Sequence, residues 1–152
     1  MTKYVDEETR QRLITLTERT HNEALACRDA GAYRAACVMI GSAIEAVLLT
    51  TVVTIEDRLR ESGLAPDDDP LRWSLGTLLK IARQADLLPG STLSAAVEDV
   101  KRLRNLVHPG AYVREMQADF EVDDTHFQAA FRVLDEVYEV TLAALKNLRD
   151  SA

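Results

Sequence analysis

Two arginines, a carboxamide and a histidine crowd into seven positions. Arg102, Arg104, Asn105 and His108 all fall within V-K-R-L-R-N-L-V-H-P-G, residues 100–110. A histidine can carry protons near neutral pH, and an arginine offers a fixed fork of donors to phosphate oxygens. Such a set suits RNA cleavage without a metal, in which the ribose 2′-hydroxyl attacks the neighbouring phosphorus. That reaction needs a base at the hydroxyl, a donor at the leaving oxygen and positive charge at the crowded phosphate. The same residues also fit a structural role, because the unsatisfied carbonyls of a helix end favour nearby cations. Other chemistries find no support: there is no glycine-rich phosphate loop, cysteine-pair zinc pattern or nucleophile triad. His21 has no second ligand at helical spacing, and His126 reads as a surface residue in a first helical turn. No metal and no cofactor is expected.

The elements that position this set are helical. Val100, Leu103, Leu106 and Val107 recur at three- and four-residue spacing, and Pro109-Gly110 then stops the helix. The spacing predicts a helix over 92–108, with Ser91 as its cap. At about 100° per residue, Arg104 and His108 share a face with Asn105 beside them. Arg102 points elsewhere unless the helix distorts near its end. An irregular connection is expected at 111–122, where Tyr112 or Arg114 either contacts a phosphate or stacks on a base, or packs back on the bundle.

Four more helices are predicted. The first starts at Asp6-Glu7-Glu8 and runs to about Asp29 before Gly31, with Leu13, Leu16, Thr20, Ala24 and Cys27 as its apolar stripe. The others cover 32–61, 75–87, and a stretch opening on Thr125-His126-Phe127-Gln128, a capping-box pattern. In this last helix Phe127, Phe131, Leu134, Tyr138, Thr141, Leu145 and Leu148 keep a near-heptad stripe. Residues 62–73 read as a loop whose three aspartates form a solvated charge run, since the glycine and glutamate of a calcium loop are missing.

The helix over 32–61 is the most apolar. Between Ala35 and Ile55 its only ionisable side chains are Cys37 and Glu45. Threonines, Ser42, Gly41 and the mid-span Glu45 argue against a membrane span, and no aromatic belt flanks it. It reads as the central helix of a bundle, with Gly41 and Ala43 permitting close approach of a neighbour. A carboxylate in such surroundings needs a cation or donors. Glu45 is therefore expected to be partly buried and bonded to the Arg102, Arg104 and His108 region, the alternative being a solvent-facing stripe.

The block resembles the signature of the HEPN superfamily, all-helical domains of which many are metal-independent endoribonucleases. Arg102 to His108 leaves five residues between, within that family's arginine-to-histidine spacing, and Arg104-Asn105 supplies its arginine-asparagine pair. Residues 39–49, M-I-G-S-A-I-E-A-V-L-L, are similar to the apolar helix with one embedded glutamate seen in several such families. The resemblance implies a HEPN-like domain spanning 1–152 and a homodimer whose composite site joins two copies of the motif. His108, Arg102 and Arg104 would be catalytic, Asn105 and Glu45 supporting, and Tyr112 and Arg114 in contact with RNA. It also implies a toxin or defence setting with a cognate antitoxin protein. A non-catalytic HEPN-like interaction, nucleotide-binding or regulatory module is the rival reading.

Bulk composition agrees with an all-α, mostly up-and-down bundle of about five helices in a single domain. Hydrophobic residues make up 47% of the 152, charged residues 28% and aromatics only 5%. A net charge of -7 argues against gripping nucleic acid through a general basic surface, so any RNA contact needs a local basic patch. Cys27 and Cys37 are expected as buried free thiols, and with no signal-peptide core at the start the chain is expected in the cytoplasm.

Overall fold

The computed structural model describes residues 5–117 and 121–151, and among these the ordered elements are all helical. α1 spans Glu7–Asp29, α2 Tyr33–Thr54, α3 Glu56–Glu61, α4 Leu75–Gln84, α5 Ser91–Arg104, α6 Pro109–Gln117 and α7 Asp124–Asp150, with 3-10 turns at Pro70–Arg72 and Asn105–Val107. The five longer α-helices other than α6 and α3 answer to the five expected; α3 and α6 are additional.

α2 is the hub, packed against α1, α4, α5 and α7. Ala36, Ile40, Ala43, Ile44, Leu48 and Val52 are fully buried along it. By length and composition α2 could cross a membrane, and 67% of its most apolar window is buried inside the bundle. A helix apolar nearly all round is what a central bundle position requires.

The helix expected over 32–61 breaks at Ile55. There the N–H bonds to the Val52 carbonyl, three residues back, at φ -113 and ψ 21. The break follows a β-branched run, T-T-V-V-T-I, in which Thr50, Thr51 and Thr54 donate their hydroxyls to carbonyls four residues earlier. Crowded χ1 angles and back-bonding hydroxyls both weaken continued helix. α3 then buries the Glu56–Arg60 ion pair at 2.9 Å. Arg60 also donates to the Pro66 and Asp68 carbonyls, fixing the following loop.

That loop is more ordered than a solvated charge run. The Asp69 side chain caps the 3-10 turn by accepting from the Leu71 N–H, and the Asp68 carboxylate accepts from the Trp73 indole. Asp67 reaches Arg60 at 3.5 Å.

Four local expectations are also corrected. α4 ends at Gln84 rather than 87, where Asp86 takes a positive φ of 55° and turns Leu87 and Leu88 into the core. Gly90, not Ser91, is the N-cap of α5, at φ 92°. α7 is capped by Asp123, which accepts the Thr125 and His126 N–H groups while the His126 ring accepts the Asp123 N–H, so the capping box lies two residues earlier than expected and uses His126. Leu16 and Tyr138, expected in core stripes, are 48% and 55% exposed.

Both cysteines are free thiols; Cys37 is buried and Cys27 half-buried. Burial pushes the Cys37 thiol up to about 11, which leaves it unreactive at neutral pH.

Asp123 shows how capping couples to pH. The His126 N–H, then its ring, hold the Asp123 carboxyl below its ordinary value of 3.8. A depressed folded-state pKa means the stabilisation is present above the ordinary value and disappears as pH falls through the folded one. Asp123→Ala should lower the thermal midpoint at pH 7, and the gap from wild type should narrow as pH drops below 3.8, measured by circular dichroism melts across pH 2–7.

Candidate functional site

The site residues sit where α5 ends against the middle of α2. Gly41 and Glu45, four residues apart, share one face of α2. Arg104 crosses that face so closely that a Cβ placed on Gly41 would lie 2.5 Å from the Arg104 Cβ and 2.9 Å from its Cγ. Beyond the glycine, the guanidinium Nη2 donates to Glu45 Oε2 at 2.6 Å. The two side chains are 34% and 22% exposed, a half-buried pair on which solvent screening acts only in part. The expected partly buried Glu45 is thus bonded to the motif region, through Arg104.

After Arg104 the backbone tightens into the 3-10 turn, with Asn105 half-buried as the C-cap of α5. His108 then takes an extended conformation, φ -82 and ψ 121. The helical wheel that would put Arg104 and His108 on one face no longer applies. Arg104 turns inward, whereas Arg102 and His108 are exposed. The imidazole has no hydrogen-bond or ion-pair partner among the described residues.

Pro109-Gly110 starts a helix as well as stopping one. Proline lacks an N–H and its φ suits a first helical position, so α6 grows directly from it. Tyr112 N–H bonds the His108 carbonyl, which leaves the N–H groups of Gly110 and Ala111 ahead of the first intrahelical bond and pointed at the His108 corner. The connection expected to be irregular at 111–122 is therefore helical up to Gln117.

Tyr112 is half-buried, with the Arg34 guanidinium 4.2 Å from its ring centroid, so it ties α6 to the first turn of α2. That occupies one ring face that a base would need. Nothing in the spacing singles out Arg34, since its partner is remote in the chain. Arg114 is exposed and folds back, its Nη1 3.8 Å from where a Gly110 Cβ would sit.

His108, Arg102 and Arg114 thus all face solvent, with His108 directly before the positive end of α6. From 101 to 114 the chain has four cations and no carboxylate, within a protein of net charge -7. Val107 and Val113, 60% and 51% exposed, flank the histidine. Among the described residues, no group of three or more His, Cys, Asp or Glu side chains is placed to hold a metal ion. Comparison with models of known families, with curated proteins and with solved structures gives no match to this chain.

Two expected outcomes follow from the Arg104 clamp. Gly41→Ala should destabilise the fold by about 1–3 kcal/mol despite alanine's better helix propensity, because the overpacked Cβ meets the base of Arg104 rather than a flexible tip. Urea denaturation would show a lower midpoint with little change in slope. Glu45→Ala should cost about 1–2 kcal/mol, less than the loss of a fully buried partner, and Arg104→Met should partly rescue it by removing the stranded cation. An additive double variant would show that the pair is not energetically coupled.

Proposed function

We propose that this protein is a metal-independent endoribonuclease of the HEPN type. The observation that carries the reading is the exposed His108 imidazole, without a partner among the described residues, in a stretch, 101–114, that carries four cations and no carboxylate, two of the cations being engaged by Glu45 and Glu98 from outside it. A stretch so rich in cations is where an acidic chain would meet a phosphodiester.

In this reading His108 moves the proton of the attacking 2′-hydroxyl or of the leaving oxygen. Arg102 and Arg114, with the α6 N-terminal N–H groups, meet the phosphate oxygens. Arg104, Asn105 and Glu45 position the corner. Arg104 takes this role because its guanidinium is already engaged with Glu45. One chain supplies one such histidine.

One observation favours the rival, a non-catalytic module that binds a phosphate-bearing ligand or partner at this corner: the inward commitment of Arg104 leaves the Arg-Asn half of the motif structural.

The two readings separate in one assay, purified protein with structured and unstructured RNAs in chelator. His108→Ala should reduce cleavage by about 10²–10⁴ while helicity is retained. Arg102→Ala should weaken cleavage, and Arg104→Ala should act mainly through stability. Undiminished cleavage by His108→Ala would overturn the assignment, and RNA binding without cleavage by wild type would establish the module instead.

A further inference from the structure

α1 and α7 run antiparallel and meet through side chains at the Arg28–Asp124 end. Arg28 bonds Asp124 at 2.9 Å and lies over the Phe127 ring, and His21 meets Phe131 at 5.2 Å between centroids. One step further along, Ile14 and Tyr138 stand on walls of a cavity of about 310 Å³ over α2. Past that, a cavity of about 700 Å³ opens between Ile55, Arg58 and α7, and the two share Thr54, Leu142 and Leu145. Together they form one trough that widens away from the Arg28–Asp124 end.

The trough floor is more apolar than its composition suggests. Thr17, Thr50, Thr51, Thr54 and Thr141 line it, and each donates its hydroxyl to the carbonyl four residues earlier in its own helix. Their donors are engaged, so the trough offers apolar contact with little to hydrogen-bond.

The exposed face of α7 bordering this trough has an order of its own. Asp135, Tyr138, Leu142, Lys146 and Arg149 follow one another at three- and four-residue steps, and all are exposed. The stripe runs from acidic through apolar to basic. Reversed end for end about Leu142, it complements itself: Asp135 falls opposite Arg149, seven residues from the centre on either side, and Tyr138 falls opposite Lys146. Arg149 is otherwise only 3.8 Å from its exposed neighbour Asp150, a pairing of little weight.

We propose that the α7 stripe and the trough beside it form a twofold interface with a second copy of this chain, the two α7 helices antiparallel and crossing at Leu142. Tyr138 and Leu142 of each copy enter the other's trough, and two Asp135–Arg149 pairs fix the register over about 21 Å of helix. This goes beyond the ribonuclease reading and does not rest on it. The Arg34–Tyr112 contact ties α6 to the first turn of α2, whereas the trough lies over its last turns. The Tyr112 contact therefore lies toward the start of α2 and the trough toward its end.

Sedimentation equilibrium of the full chain tests the proposal, with RNA cleavage measured separately. Wild type should show twice the 16.9 kDa chain mass, and Leu142→Glu should be monomeric with unchanged helicity. Asp135→Arg and Arg149→Asp should each raise the dimer Kd by about tenfold or more, and the two together should restore it. Mild oxidation should cross-link Leu142→Cys into a disulfide dimer far faster than Ala143→Cys, which points off the stripe, with wild type as control for the native cysteines. A monomeric wild type, or equal cross-linking at 142 and 143, would overturn the proposal. So would a dimer that survives Leu142→Glu but is lost in Val107→Glu, which would put the contact at the His108 corner. Loss of RNA cleavage in His108→Ala with an intact dimer bears on the ribonuclease reading alone.

Discussion

The Arg104 side chain, laid across Gly41 and closed onto Glu45, is the constraint on which the candidate site depends. Glycine lets the stem of the arginine approach the α2 backbone, and the carboxylate one turn further on meets its charged end. Contact and charge together fix both the distance and the register of α5 on α2. Everything from Asn105 to Arg114 then leaves α5 at a set height and angle. Neither half suffices alone: an ion pair without the glycine would hold the helices further apart, and a glycine without the pair would leave a carboxylate half out of water.

The same principle explains how α2 can be so apolar and still carry polar side chains. Glu45 is matched by a cation from α5. The threonines near the other end satisfy themselves by bonding back along their own helix. The first solution joins two helices. The second contributes to ending one, because the back-bonding β-branched run precedes the break at Ile55. Polar satisfaction in this bundle therefore sets both where helices meet and where they stop.

Much of the fold was legible because apolar periodicity and capping residues act locally. α1 starts beside Asp6 as its carboxylates suggested, Gly31 follows its end, and α2 takes the central position that its composition demanded. What escaped was decided by contacts remote in sequence or by competition among neighbours. Pro109 reads equally as a stop and as a first helical residue, and only the Tyr112 N–H to His108 carbonyl bond settles it. Tyr138 keeps the heptad spacing of a core residue, yet it stands exposed on the wall of the trough. In the site, the Glu45–cation pairing was legible because a lone carboxylate amid apolar residues must find a partner. Which arginine would answer was not, since the choice rests on the missing Cβ of Gly41.

The meeting of α1 with α7 at the Arg28–Asp124 end has a dynamic side. The C-terminal half of α1 is held by α2 and α7 together, through the Arg28, His21 and Phe131 contacts, while its N-terminal half packs on α2 through Leu13 and Val53, with Val5 beside them, and through Arg10 to the Val53 carbonyl. Opening of that half leaves the Arg28, His21 and Phe131 contacts intact. The helix is then two cooperative units joined by a continuous backbone, and amide protons near Gln11 should exchange through small local openings while those near Ala24 wait for rarer, larger ones.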